Sequence, residues 1–248
     1  MFPQLTEQDV YNLSTTQLQQ LGQVFYVPGL NGLKGYRYIQ FGGTSAISAG
    51  KLLVAAAAPS NSTGLALPTT NTSVNLSSGS RQVLVTNGST TVAANQFAGG
   101  QLEVLGANGY SNYTIAGNSA DSVGNAQLTV QLAEALRNTS ALVAGTNTVN
   151  LRQSPSYNPA ASTTQALPVG VTIMPVANSS TVTYFGFVQI SGPGFVYATT
   201  ATKGYTVVQD TAGTAGYVAN NAADTTPQIG IAMESAASSL APVFLQIN

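Results

Sequence analysis

The stretch from Tyr184 to Asn248 reads YFGFVQISGPGFVYA (184–198), KGYTVV (203–208), QIGIAMESA (228–236) and APVFLQIN (241–248), with short connections between these segments. The segments are rich in Val, Ile, Phe, Tyr and Thr, and Gly, Pro, Asn or Asp bound them. That pattern is typical of short β-strands joined by tight turns. It predicts a rigid all-β module.

Two features of this stretch predict local geometry. Gly192-Pro193-Gly194 predicts a turn between two strands, because both residue types are common in turns. In the last segment, side chains alternate between the two faces of a strand. Val243, Leu245 and Ile247 then share one face, and Phe244 and Gln246 share the other. We expect this strand to be part of the core.

Strand patterns continue through the middle of the chain. After a strand at 36–41, the segments with period-two alternation or β-rich composition are 49–54, 82–86, 101–105, 110–116, 127–132 and 149–151. Residues 59–80 are mostly Ser, Thr, Asn, Gly and Pro and predict an exposed loop. Residues 154–167, with two prolines, predict a linker between a first β-rich domain at 31–153 and a C-terminal β-rich domain at 168–248.

Residues 1–30 predict an arm with a short helix. Thr6 with Asp9, and Ser14 with Gln17, have the spacing of a capping box, and Gly22 is a candidate helix stop. Such a short helix needs a surface to pack on. It could cap its own domain or dock on another subunit.

Two segments resemble each other. Tyr36–Phe41 followed by Gly42 and then Gly50–Val54 is similar to Phe187–Ile190 followed by Gly192 and then Gly204–Val208. The similarity favours an internal duplication. Two unrelated hairpins would give the same pattern.

Composition excludes several function classes. The chain has 248 residues, of which 6% are charged and 44% hydrophobic, with a net charge of −1 and no Cys, His or Trp. Disulfides, cysteine metal sites and His-dependent catalysis are therefore excluded. The scattered charges offer no patch for nucleic acid, and no apolar run is long enough to span a membrane. The first residues lack the pattern of a signal peptide, so we expect synthesis in a cytoplasm.

Candidate sites for chemistry are few. Asp121, Asp210 and Asp224 lie in polar loops and could ligate Ca²⁺, but without regular spacing they are better interpreted as solvated turn residues. Strand tyrosines at 36, 38, 110 and 113 could form a platform for sugars, although such tyrosines more often pack across strands. The Gly-rich turns at 42–43, 99–100 and 192–194 lack a following phosphate-loop helix. We predict no catalytic, metal or cofactor site.

The order of several short motifs resembles that of head decoration (cement) proteins of tailed bacteriophages. The motifs are Leu21-Gly22, Gly35-Tyr36-Arg37-Tyr38, Ala49-Gly50-Lys51-Leu52, TVAANQFAGGQL (91–102), Leu167-Pro168-Val169-Gly170-Val171, Ile229-Gly230-Ile231-Ala232-Met233-Glu234 and Val243-Phe244-Leu245-Gln246-Ile247. The resemblance covers most of residues 20–248. It implies a β-rich protein on the outside of the virion head, often trimeric, that strengthens the shell. It supplies no catalytic residues.

We therefore expect an all-β protein of two lobes, each a small barrel or sandwich, with a short N-terminal helical arm. The expected function is structural and non-enzymatic. The protein would bind the major capsid protein and its own copies, with a trimer favoured by the resemblance, and would bind neither nucleic acid nor membrane. One rival is a glycan-binding module of a tail fibre or adhesin. The other is a polysaccharide-cleaving enzyme, which would need two converging carboxylates.

Overall fold

The protein is described by a computed structural model that covers residues 5–29, 32–59, 62–68, 79–87, 91–106, 109–121, 127–137, 147–178, 182–221 and 226–247. Strands dominate these residues, and the one helical element is the 3-10 turn Asp9–Tyr11. The predicted all-β class is confirmed. Among the described residues, no helix is long and apolar enough to cross a membrane.

The chain divides into two compact units. Unit 1 comprises residues 1–56 and 155–248, and unit 2 comprises residues 57–154. Unit 1 contains β1 (Val24–Gly29), β2 (Gly32–Gln40), β3 (Leu52–Val54), β10 (Pro168–Thr172), β11 (Phe185–Ala201), β12 (Thr206–Gln209), β13 (Val218–Asn220), β14 (Gln228–Ala232) and β15 (Ala236–Gln246). Unit 2 contains β4 (Leu65–Ala66), β5 (Gln82–Thr86), β6 (Gln101–Gly106), β7 (Gly109–Asn118), β8 (Gln127–Leu132) and β9 (Thr148–Arg152).

This division differs from the predicted boundaries. One boundary lies at the start of the predicted 154–167 linker, but the other cuts the predicted 31–153 domain after residue 56. The reason is long-range pairing. β2 pairs with β11, and β3 pairs with β10, so both N-terminal strands belong to the sheet of the C-terminal strands. Unit 2 is therefore an insertion within unit 1.

β11 organises unit 1 because it pairs differently along its two halves. Its first half lies between β2 and β10, and its second half pairs with β13 and β15. From β11 the hydrogen-bonded order β13, β12, β14, β15 returns to β11, which closes a five-stranded ring. Val196, Val207, Ile229, Val243 and Leu245 fill its interior and are fully buried.

The predicted turn at Gly192-Pro193-Gly194 is wrong, because these residues lie within β11. Gly192 has a φ of +85°, and the pairing register with β2 shifts between Gln189 and Ser191. The Gln189 side chain donates its Nε2 hydrogens to the carbonyls of Ser191, at 3.1 Å, and Pro193, at 2.9 Å. The glycine and the amide therefore accommodate a bend that leaves the strand continuous.

The predicted N-terminal helical arm is also wrong. Asp9 Oδ2 accepts hydrogen bonds from Thr6 N and Oγ1, both at 2.7 Å, which resembles one half of a capping box. The helix ends after one turn, and Ser14 instead forms a β-bridge with Phe185. Val10 is fully buried among Tyr36, Tyr38 and Phe187, so this segment packs on its own unit.

The two similar segments are not hairpins. β2 pairs with β1 and β11, whereas β3 pairs with β10, and no pairing joins β11 to β12 among the described residues. The two segments are therefore not two unrelated hairpins, and an internal duplication stays a prediction.

Unit 2 is an antiparallel sheet in the order β4, β9, β6, β7, β8, β5. The alternation predicted for 127–132 is confirmed, since Leu128, Val130 and Leu132 are buried and Gln127 and Gln131 are exposed. Buried aliphatic and aromatic side chains from all six strands and their connections form one core. This sheet curls around that core in a barrel-like arrangement.

Candidate functional site: an apolar sheet face and an aromatic groove

Of the candidate carboxylates, Asp121 and Asp210 lie in different units, and each is hydrogen-bonded within its own unit. Asp121 is buried in unit 2, where Asn87 donates a hydrogen bond to its Oδ2 at 2.8 Å. Asp210 is buried in unit 1, where its Oδ1 accepts from the backbone N–H of Ala212 and Gly213 and its Oδ2 accepts from Thr199. Both were predicted to be solvated, and that prediction is wrong. The Asp210 carboxylate stabilises the turn that follows it, and the Asp121 carboxylate accepts from the Asn87 side chain. No group of three acidic residues that could hold a metal lies within the described part, and Asp224 lies outside it.

The candidate tyrosines pack inside the units. Tyr36, Tyr38 and Tyr113 are each at most 2% exposed, and the side chain of Tyr110 lies outside the described residues. Tyr38 stands opposite Phe187 in the β2–β11 pair, with ring centroids 5.1 Å apart in an edge-to-face arrangement. Burial raises the pKa of Tyr36 and of Tyr38 above the ordinary tyrosine value. The interpretation as cross-strand packing pairs is thus confirmed for Tyr38.

The outer surface of the five-stranded ring carries a continuous group of exposed and partly exposed apolar side chains, which we call the apolar face. Phe195 is 64% exposed, Leu240 46%, and Phe244 and Met233 44% each. Strand pairing makes them neighbours. Phe195 stands opposite Pro242, Tyr197 opposite Leu240, and Phe244 opposite both Pro193 and Ile231. The members are Pro193, Phe195, Tyr197, Ile231, Met233, Leu240, Pro242 and Phe244.

Three observations set this face apart from scattered surface apolar residues. β11, β14 and β15 contain no charged residue. The opposite side chains of the same strands fill the ring, so the strands are apolar on both faces, as is usual for sheets covered on both sides. A large side chain has a total surface of about 150–250 Å². The summed exposed surface of the apolar face is then on the order of 400 Å², which is within the size range of functional patches.

A groove of about 410 Å³ borders the apolar face. Phe195, Met233, Leu240 and Pro242 form one wall, and Tyr11, Lys34 and Val171 are among the residues on the other side. Among the described residues that line it, Lys34 is the one cation, and its Nζ lies 2.6 Å from Glu7 Oε1. The groove therefore adds concave shape to the face without an unpaired charge.

Lys51 supports the apolar face from the side. Its Nζ lies 4.0 Å from the ring centroid of Tyr217 and 5.2 Å from that of Tyr197, and it donates to the Ala215 carbonyl at 3.1 Å. Burial lowers the pKa of Lys51. The neighbouring Gly50 carbonyl accepts from Tyr197 N at 2.8 Å, which holds β11 in place behind Leu240.

A second concave feature, which we call the aromatic groove, lies between the N-terminal segment and the β1–β2–β11 sheet. Its volume is about 380 Å³. Phe25, Tyr38, Phe185 and Phe187 line it from the sheet side, and Leu18 lines it from the other. The Tyr38 hydroxyl accepts a hydrogen bond from Leu18 N at 2.9 Å, so the wall and the floor are joined.

Sequence reasoning missed the apolar face, and of the residues that line the aromatic groove it named only Tyr38 as a candidate. The signal for the apolar face was present, since FVY (195–197), IAM (231–233) and LAPVF (240–244) are apolar at successive positions, which indicates strands with two covered faces. The aromatic groove had no such signal, because it joins residues far apart in the chain.

No family model, no curated protein and no solved structure matches this chain.

Proposed function

We propose that this chain is a non-enzymatic structural protein that decorates the outside of a bacteriophage head, where it binds the major capsid protein and its own copies. The resemblance of its short motifs to head decoration proteins suggests the location. The apolar face is the single observation that carries the assembly role. A function based on contact area needs such a surface and needs no reactive group.

The occupant we assign to the apolar face is a second copy of this chain. Contacts between permanent subunits are more apolar than contacts between proteins that also exist apart. An exposed area on the order of 400 Å² would supply the apolar centre of a standard interface, which buries about 800 Å² per partner. Ser238, Ser239 and Gln246 are exposed on the same strand and would form its polar rim.

The shell would then be bound by the neutral polar surface. With seven basic and eight acidic residues in the whole chain, few ionic contacts are available. Hydroxyl and amide contacts repeated over a symmetric lattice gain avidity from their number. Binding to the shell should therefore depend only weakly on salt concentration.

Mass spectrometry and cryo-EM of purified virions test this function. We expect the chain in hundreds of copies per particle, at a fixed ratio to the major capsid protein, with density on the outer surface. Absence from virions would overturn the proposal. Presence in a few copies at the tail would instead support a fibre protein.

A further inference from the structure

We propose that the aromatic groove binds a neutral carbohydrate, in the form of one or two sugar rings of a glycan. This inference goes beyond the decoration role and does not depend on it, because every lining residue belongs to unit 1 and none belongs to the apolar face.

The floor of the groove is a cluster of four aromatic rings. Phe25 and Phe187 meet edge to face with centroids 5.7 Å apart, and Tyr38 and Phe185 lie nearly parallel at 6.5 Å. Phe187 and Tyr38 are buried, whereas Phe25 and Phe185 are partly exposed toward the groove. Aromatic rings have an electron-rich face that attracts positively polarised hydrogens. The C–H face of a sugar ring is apolar, flat and weakly positive, and fits such a floor.

The rim of the groove carries uncommitted amides. The side chains of Asn12, Gln19 and Gln23 line it and form no hydrogen bond with any described residue. Each amide can donate and accept at once, which matches the dual character of a sugar hydroxyl. In contrast, the buried amides of Gln189 and Gln209 are bonded to backbone carbonyls.

The charge of the groove selects against acidic sugars. In the part of the chain that the structure describes, Asp9 is the one carboxylic acid that lines the groove, and no Lys or Arg lines it. Asp9 Oδ2 is occupied by the Thr6 N–H and hydroxyl, which leaves Oδ1 to accept a hydrogen bond from a ligand hydroxyl. A carboxylate on the ligand would meet this negative charge without a compensating cation. A neutral hexose or N-acetylhexosamine meets no such cost.

The volume agrees with a small ligand. Ligand pockets usually measure about 300–1,000 Å³, and they combine apolar walls with a few polar groups that set orientation. At about 380 Å³ the groove lies near the lower bound. One or two sugar rings with bridging waters fit this space, and a long chain would continue past the exposed Leu18.

Saturation-transfer NMR with the intact protein tests the proposal. The probes are the methyl glycosides of glucose, galactose, mannose and N-acetylglucosamine, the disaccharides lactose and cellobiose, and glucuronic acid, sialic acid and cyclohexanol for comparison. We expect at least one neutral sugar to bind with a millimolar dissociation constant, with the strongest saturation on its ring C–H protons.

The matched variants are Asn12→Ala/Gln23→Ala in the groove and Gln131→Ala, an exposed amide of unit 2, as the control. Loss of two hydrogen bonds should weaken sugar binding about tenfold or more, while the control binds as the wild type does. Unchanged melting temperatures will show that the variants are folded. The proposal is overturned if no neutral sugar binds, if acidic sugars bind equally well, if only cyclohexanol binds, or if the double variant keeps full affinity.

Discussion

Replacing Phe195 by Thr should dissociate the oligomer that we assign to the apolar face. Phe195 is the most exposed aromatic side chain on that face, with 64% of its surface accessible. An aromatic side chain buries about 150–250 Å² when fully covered, so a subunit contact would remove roughly 130 Å² of Phe195 from water. At about 25 cal/mol per Å², this burial contributes about 3 kcal/mol to each contact. Thr preserves the preference for a strand and loses most of that area.

The assay is sedimentation velocity over a range of protein concentrations. A loss of about 3 kcal/mol raises the dissociation constant by roughly two orders of magnitude, so Phe195→Thr should be monomeric where the wild type is oligomeric. Thermal unfolding of the isolated monomer should change little, because surface substitutions usually alter stability by less than about 0.5 kcal/mol. Tyr26→Thr is the control, because Tyr26 is 61% exposed but lies on β1, away from the apolar face.

Three results would refute this reasoning. The wild type could be monomeric at every concentration tested. Phe195→Thr could sediment with the same oligomeric state and affinity as the wild type. Tyr26→Thr could dissociate the oligomer equally well, in which case exposed aromatic area in general, and not the apolar face, would hold the subunits together.

Three further predictions concern the stability of unit 1. Val10→Ala should lower the free energy of unfolding by about 2 kcal/mol in urea titrations, since Val10 is fully buried; an unchanged midpoint would contradict the packing of the N-terminal segment. Gly230→Ala should lower the melting temperature strongly, because the added Cβ would overlap the Phe244 carbonyl oxygen. Gly29→Ala is the control and should be tolerated, because the nearest atom to its added Cβ lies 3.4 Å away. Equal effects of the two substitutions would refute the close approach at Gly230. Burial raises the pKa of Tyr36, so the folded state keeps a proton that the unfolded state loses above about pH 10. The free energy of unfolding should therefore be independent of this group up to that pH and fall above it. Tyr36→Phe should make this fall smaller.

Local patterns predicted the strands well where each strand buries one face. The alternation at 127–132 matches the burial of β8, in which Leu128, Val130 and Leu132 are buried. The same holds for the last strand, where Val243, Leu245 and Ile247 are buried and Phe244 is exposed, as predicted. In these cases, period-two alternation is a direct consequence of the pleat.

Other features depend on contacts between distant residues, which local patterns do not contain. Gly192-Pro193-Gly194 has turn composition but stays in a strand, because Gln189 and the neighbouring strands hold it there. The spacing of Thr6 and Asp9 is that of a helix start, yet the Ser14–Phe185 bridge takes the chain into an extended path. The floor of the aromatic groove likewise brings together Phe25 and Phe185, which are far apart in the sequence. Pairings over such distances require the whole fold.

The insertion of residues 57–154 has a consequence for the order in which the protein folds. β2 leaves the ribosome well before its partner β11. The strands of unit 2, in contrast, pair with one another and all lie within residues 57–154. Domains generally fold as units during synthesis. Unit 2 can therefore complete its sheet before β11 has been synthesised, while the edge of β2 that pairs with β11 is still unpaired. Within unit 1, Val54 and Ala160 exchange backbone hydrogen bonds at 3.0 and 3.1 Å, so the two ends of the insertion are tied together. Unit 2 thus occupies a loop with anchored ends, a position where a whole domain can be lost, gained or exchanged without rebuilding the surrounding sheet.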